Sequence, residues 1–266
     1  MKILFVGDVF GTDGVKFLSN NLEKIKKEYK ANLIIVNGEN AAGGKGITRN
    51  IYKDFMKMGV AGITMGNHAF SNKEIDELLD ENLNICVPAN YPTYKDKGYL
   101  TIKYNDLKIV VINVLGRVYM NLPLECPFKT VKEIIEEEKA DYYIVDMHAE
   151  ATSEKKAIGY YLDGIKGAVV GTHTHVQTAD ECILEKGTMY ISDVGMTGPI
   201  DGVIGVDKDV IIERFMTGKP SKHVCAKGRM QISAVLLDFD LNKIERIHII
   251  GENTTNWVVF SLIIML

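Results

Sequence analysis

Lys2-Ile3-Leu4-Phe5-Val6-Gly7-Asp8 sets the reading of the chain: an uninterrupted apolar run breaks at glycine and delivers a carboxylate. The figure recurs. Leu33 to Val36 leads through Asn37 to Gly38-Glu39-Asn40, and Ala61 to Met65 leads to Gly66-Asn67-His68. Tyr142 to Val145 precedes Asp146-Met147-His148, and Ala168 to Val170 precedes Gly171-Thr172-His173-Thr174-His175. Two further runs, Ile109 to Ile112 and Met189 to Ile191, have the same β-branched character. Apolar runs without alternation suit strands buried on both faces.

Helical periodicity fills the gaps. Val15 to Tyr29 sets Phe17, Leu18, Leu22 and Ile25 on one side. Ser71-Asn72-Lys73-Glu74 and Thr130-Val131-Lys132-Glu133 have capping-box spacing, and each precedes an apolar-periodic segment. Ser153 to Tyr161 reads as a fourth helix. Near the end, Gln231 to Phe239 and Lys243 to Ile250 flank Asp240-Leu241-Asn242 as a β-hairpin. Early βα alternation followed by antiparallel strands predicts helices outside one or two central sheets.

No linker interrupts this pattern, so one domain over residues 1–252 is expected, followed by an apolar tail, 253–266, to which no role is assigned. The run Trp257 to Leu266 is too short to span a bilayer, which takes about 20 residues, and reads as a buried final strand or a subunit contact. The 266 residues carry a net charge of −4, which argues against a surface for long nucleic acid. Cys86, Cys126, Cys182 and Cys225 lie far apart with no CxxC pair, as expected of free thiols in a reducing compartment. The opening residues do not resemble a signal peptide, and a cytoplasmic protein is expected.

In open α/β sheets the carboxyl ends of strands line the ligand crevice. Five strand ends would bring Asp8, Glu39, Asn40, Asn67, His68, His148, His173 and His175 to one rim; of six histidines only His223 and His248 fall outside. Singly, each has a plain alternative: Asp8 or Asn67 as a helix cap, Glu39-Asn40 as a solvated turn, His148 as a hydrogen-bonded histidine. Together they predict a metal site. In His173-Thr174-His175, alternation along extended backbone would aim both rings the same way. Oxygen and imidazole ligands without thiolate suit iron, manganese or zinc. So many ligands exceed one ion's needs, whereas two ions sharing a carboxylate, about 3.5–4 Å apart, would use them.

The order Gly-Asp, Gly-Glu-Asn, Gly-Asn-His, a lone His and a His-x-His resembles the calcineurin-like metallophosphoesterases, and more narrowly the bacterial YmdB-like phosphodiesterases. Lys2 to Asp8, Asn37 to Gly44 and Ser192 to Gly198 carry the narrower resemblance. It implies a four-layer α/β/β/α sandwich, two central mixed sheets flanked by helices. It also implies that Asp8 and His175 hold a first metal, that Asn67, His148 and His173 hold a second, and that Glu39 bridges them. His68 would donate a proton to the leaving oxygen. Two features depart from the wider superfamily: Phe10 stands where a histidine is usual, and the bridge is Glu39 rather than an aspartate. Asn40 is placed to supply the missing ligand, which favours iron or manganese over zinc.

The resemblance implies hydrolysis of a small phosphodiester, with 2′,3′-cyclic nucleotides first. The alternatives are a phosphomonoesterase or 5′-nucleotidase on the same metals, and a regulatory, RNA-associated protein with incidental turnover. A homo-oligomer, dimer or higher, is expected, with no membrane span. Candidate substrate contacts are Arg117 (equally a surface ion pair), Lys45 in the glycine-rich loop Ala41 to Gly46 (for which a solvated lysine is the plainer reading), and Thr197. Asp146 and Glu150 flank His148 as candidate partners for the ligands.

Overall fold

The computed structural model describes residues 1–81, 83–222 and 224–251, and the backbone of 257–259. The chain first lays down β1 (Lys2–Val6), the two-residue β2 (Asp8–Val9), α1 (Gly11–Glu28), β3 (Leu33–Asn37), α2 (Arg49–Lys57), β4 (Gly62–Thr64), α3 (Glu74–Asp80) and β5 (Ile85–Cys86). A second series follows: β6 (Tyr99–Tyr104), β7 (Leu107–Leu115), α4 (Pro127–Glu137), β8 (Tyr142–His148), α5 (Thr152–Tyr161), β9 (Gly167–Thr172), β10 (Cys182–Ile183) and β11 (Met189–Ile191). The last elements are β12 (Met196–Pro199), α6 (Lys208–Thr217), β13 (Met230–Asp238), β14 (Lys243–Gly251) and β15 (Trp257–Val259).

Two mixed sheets result. One runs β15-β14-β13-β1-β3-β4-β5, with β12 joined to β13 and to β2; the other runs β10-β11-β9-β8-β7-β6. Alternate residues of each strand face opposite layers. Ile3 and Phe5 of β1 meet Val111 and Ile144 of the other sheet in the central layer. Leu4 and Val6 face outward onto Leu18, Leu22 and Ile25 of α1. On the far side, Val110, Val145 and Val169 pack on Val131 and Ile134 of α4 and Ile158 of α5. The outcome is the expected α/β/β/α sandwich. Both sheets send the carboxyl ends of their parallel strands to the same edge, where β2 crosses to β12 so closely that a Cβ on Gly7 would fall 1.9 Å from the Gly195 carbonyl oxygen.

Several local expectations need correction. The first helix starts at Gly11, where φ is +68° and the N–H donates to the Asn40 carbonyl, rather than at Val15. Neither tetrad forms a capping box. Ser71 lies in a preceding 3-10 turn; Asn72 Oδ1 accepts from the Glu74 N–H, and the Glu74 carboxylate accepts from the Arg49 N–H instead of reaching back. Thr130 sits inside α4, because Pro127 starts that helix a turn earlier with φ already set. Helices α2 and α6 and strand β6 are additions to the expected elements. They are short or half-exposed, and their apolar residues do not form a long run. The hairpin is as expected, with Asp238 opposite Lys243. Residues 252–256 and 260–266, which include most of the apolar tail, lie outside the described residues, while the Trp257–Val259 backbone pairs antiparallel with β14. Among the described residues no helix is long and apolar enough to cross a membrane.

Candidate metal centre

Two groups of ligand atoms form at the shared edge: Glu39, His148 and His173, and Asp8, Glu39 and His175, each with all its atoms within 4.8 Å of one another. Glu39 belongs to both. His148 Nε2 lies 3.1 Å from Glu39 Oε1, 3.1 Å from Asn67 Oδ1 and 3.1 Å from His173 Nδ1. His175 Nε2 lies 3.2 Å from Asn40 Oδ1, whose amide nitrogen is turned away to the Gly44 carbonyl. Asp8 Oδ1 is buried and has no hydrogen-bond partner. One proton on His148 Nε2 satisfies one neighbour, whereas a cation at that point satisfies all of them. The residues therefore fit two metal ions. Gly66 keeps the approach open, since a Cβ there would lie 2.3 Å from Glu39 Oε2 and 2.4 Å from His148 Nε2.

Each imidazole is oriented from behind. His148 Nδ1 meets Thr172 Oγ1 at 2.8 Å, and that hydroxyl donates to Asp146 Oδ1 at 2.6 Å. Asp146 also accepts from Thr64 and Asn37, so this buried carboxylate is fully engaged. His173 Nε2 faces Glu150 at 3.2 Å, and His175 Nδ1 meets the Ile204 carbonyl at 3.0 Å. Such partners fix the tautomer that leaves the other ring nitrogen free to ligate. The backbone of the His-x-His differs from the extended form expected. His173 and His175 both have positive φ, +103° and +65°, so the backbone is turned rather than extended and the rings go to different ligand groups. This strained turn is pinned by Asp8 Oδ2, which accepts the His173 N–H, and by Asp193 Oδ2, which accepts from both N–H and Oγ1 of Thr174. Asp193 itself pairs with the Lys155 ammonium at 2.6 Å, both side chains 1% exposed.

Electrostatics match a centre built for positive charge. Burial pushes Asp8 up to about 7. Burial alone would raise Glu39, but the charge and hydrogen bond of His148 bring it down to about 2. Burial alone would lower His148, but Glu39 and then Asp8 raise it to about 9. Burial and the neighbouring His148 charge press His173 down to about 3. Without metal at neutral pH, His148 thus holds a proton and Asp8 holds part of one, and ligation must expel both. Metal uptake at pH 7 is expected to release about one to two protons per chain, and affinity should fall as pH drops from 9 to 6. Calorimetric metal titration in buffers of different ionisation enthalpy measures this; uptake without proton release would contradict the assigned ligands.

A family model described as YmdB-like protein matches residues 4–250. The chain belongs to the YmdB-like family. A 2′,3′-cyclic-nucleotide 2′-phosphodiesterase of Bacillus subtilis is 48% identical over 255 residues, covering 93% of this chain and 96% of that protein. A solved structure of a hypothetical Thermus thermophilus protein superposes with a TM-score of 0.88 at 40% identity, covering 95% of this chain and 99% of the other. That of a novel phosphatase from Mycoplasma pneumoniae gives 0.88 at 36%, covering 96% and 95%. With this family and fold, the protein is a hydrolase of the metallophosphoesterase type.

In this YmdB-like protein the ligand groups open into a cavity of about 340 Å³ that His68, Lys45 and Glu150 also line. A larger hollow of about 670 Å³ between α1 and α2 holds neither of the two ligand groups. His68 is half-buried and stands outside both groups, with its backbone N–H donating to Glu39 Oε2 at 3.0 Å. Burial lowers its pKa, Glu39 opposes, and Lys45 adds to the lowering. Phe10, in place of the usual histidine, meets His175 edge-on with ring centroids 5.6 Å apart.

Two candidate substrate contacts fall away. Arg117 is exposed and does not line the cavity; its backbone N–H is taken by Glu154, because the chain turns outward after β7. Thr197 is fully buried in β12 beneath Phe10, whose N–H donates to its carbonyl, so it supports the strand crossing instead. Lys45 remains. Sequence reading missed Lys155, Thr172, Thr64 and Asn37. Asp193, directly after a strand end, carried the same signal as Asp8, but nothing distinguishes Lys155 from a solvated helix lysine.

Proposed function

We propose that this protein is a dinuclear-metal phosphodiesterase acting on small cyclic nucleotides, 2′,3′-cyclic nucleoside monophosphates foremost. What carries the reading is the pair of ligand groups sharing Glu39, with His68 in the same cavity but outside both groups. Asp8, His175 and Asn40 would hold one ion, Asn67, His148 and His173 the other. The ions, when bound, supply Lewis acidity toward the phosphate and a water nucleophile at neutral pH. His68 hands a proton to the departing ribose oxygen, a task for which a partly buried imidazole is suited. Lys45 offsets phosphate charge at the mouth. Asp146 through Thr172, and Glu150, hold the ligating rings in place. Asn40 contributes amide oxygen where imidazole is usual, which favours iron or manganese over zinc. The same reading takes residues 1–252 as one catalytic domain, working in the cytoplasm as a homo-oligomer.

A second reading, phosphomonoester hydrolysis, is favoured by the likeness to the Mycoplasma pneumoniae protein, which is described as a phosphatase. Metal analysis of natively purified protein, with a panel of 2′,3′- and 3′,5′-cyclic nucleotides, bis(p-nitrophenyl) phosphate and p-nitrophenyl phosphate, separates the two. The expected outcome is two ions per chain and a kcat/KM for 2′,3′-cyclic nucleotides at least about tenfold above that for monoesters, a gap of about 1.4 kcal/mol. Preference for the monoester would favour the second reading, and a single ion per chain would refute the shared role of Glu39.

A further inference from the structure

A second cavity of about 360 Å³ lies beside the metal centre, and His175 and Ile204 line both. Ile204 forms the tip of a tight turn closed by the Val203–Val206 bridge, half-exposed, with its carbonyl on His175 Nδ1. The second cavity opens where the layer between the sheets changes character. Along β13 and β14 the inward positions begin as Leu237, Val235 and Ile244, all in the central apolar core. Two and four residues further toward the metal edge, the same faces carry Ser233 and Arg246, then Gln231 and His248. Polar side chains in a sheet-to-sheet layer cost stability unless they are hydrogen-bonded.

Their partnering is incomplete in an instructive way. His248 Nε2 donates to Gln231 Oε1 at 2.9 Å. Among the described residues this leaves the Gln231 amide nitrogen as an unused donor and His248 Nδ1 as an unused acceptor. Arg246 pairs with Glu181 at 2.6 Å, so its charge is already balanced. Burial, and then Arg246, lower the His248 pKa, which keeps that ring neutral. Val176 and Pro199 supply apolar walls. A free donor and a free acceptor lining one cavity, between apolar surfaces and without surplus charge, match a planar neutral heterocycle with hydrogen-bonding groups better than a phosphate.

We infer that this cavity is the nucleobase subsite: the phosphate lies over the metal centre, the chain of the substrate passes the Ile204 tip, and the base is held by Gln231 and His248. The assignment to a substrate base rests on the cyclic-nucleotide reading above. Binding of adenosine and guanosine, which carry no phosphate, to the metal-loaded protein tests it by ligand-observed NMR titration. The wild type should bind, and Gln231→Leu/His248→Leu should weaken binding about tenfold or more, since both hydrogen-bond partners are lost. Val176→Glu, a change at a 60% exposed position that leaves the interior intact, should weaken it as well. Failure of the wild type to bind either nucleoside, or equal binding by the wild type and both variants, overturns the subsite even if cyclic nucleotides are hydrolysed. Nucleoside binding that is lost in the variants, in a protein that does not hydrolyse cyclic nucleotides, overturns the activity reading and leaves the base pocket standing.

Discussion

Replacing His68 by alanine is expected to lower kcat by about 10²–10⁴-fold while the metal content stays the same, the usual scale for loss of a general acid. The separation of the two readouts follows from geometry. The His68 backbone N–H supports Glu39, and that contact survives truncation of the side chain, while the ring itself belongs to neither ligand group. A general acid works only when protonated, so wild-type kcat should fall as pH rises through the His68 pKa, which burial holds below the ordinary histidine value. The variant should lose that limb of the profile. Metal analysis beside steady-state rates across pH 5–9 provides the check. Metal loss in His68→Ala would make the residue a ligand, and an unchanged rate would remove it from the chemistry.

Lys155→Met should destabilise the fold by about 3–5 kcal/mol, the range found when one partner of a buried ion pair is removed. Lys155 and Asp193 are both essentially sealed from water, so the leftover carboxylate would keep its desolvation cost without its counter-charge. It would still accept from Thr174 and Gly195, which prevents local collapse but does not neutralise it. The double variant Lys155→Met/Asp193→Asn should recover a large part of the loss, because the amide oxygen can still accept from Thr174 with no charge buried. Urea titration of the three proteins measures this. A single variant as stable as wild type would show that the pair contributes nothing net. A double variant no better than the single would assign the loss to packing. The turn between His173 and His175 hangs on the same carboxylate, so the single variant should also bind metal less tightly.

How much of this is legible in the sequence differs between elements. The buried strands announce themselves because a strand covered on both faces must be apolar through its middle, as Ile3 to Val6, Leu33 to Val36, Tyr142 to Val145 and Ala168 to Val170 are. Edge strand β6 alternates between half-buried and exposed positions and leaves no such trace. Helix starts differ from expectation where a proline or an asparagine side chain takes over from the expected serine or threonine. The ligands are legible as a set because chemistry-bearing residues stand at five strand ends. Arg117 and Thr197 depart from their expected roles because a residue near a strand end can point outward or inward, and only neighbouring layers decide which.

The order of apolar runs and the polar residues that end them was enough to specify one or two parallel-rich sheets and a rim of carboxylate, amide and imidazole groups, since strand burial and the carboxyl-end crevice follow from backbone geometry common to all such folds. What tertiary structure alone decided is which groups touch: that the backbone at His173 and His175 is turned rather than extended, that Asp8 takes the His173 N–H, and that a buried Lys155 pairs with the carboxylate holding this turn. These are relations between segments up to 165 residues apart. They depend on the packing of one sheet against the other, and no local pattern of side chains encodes that distance.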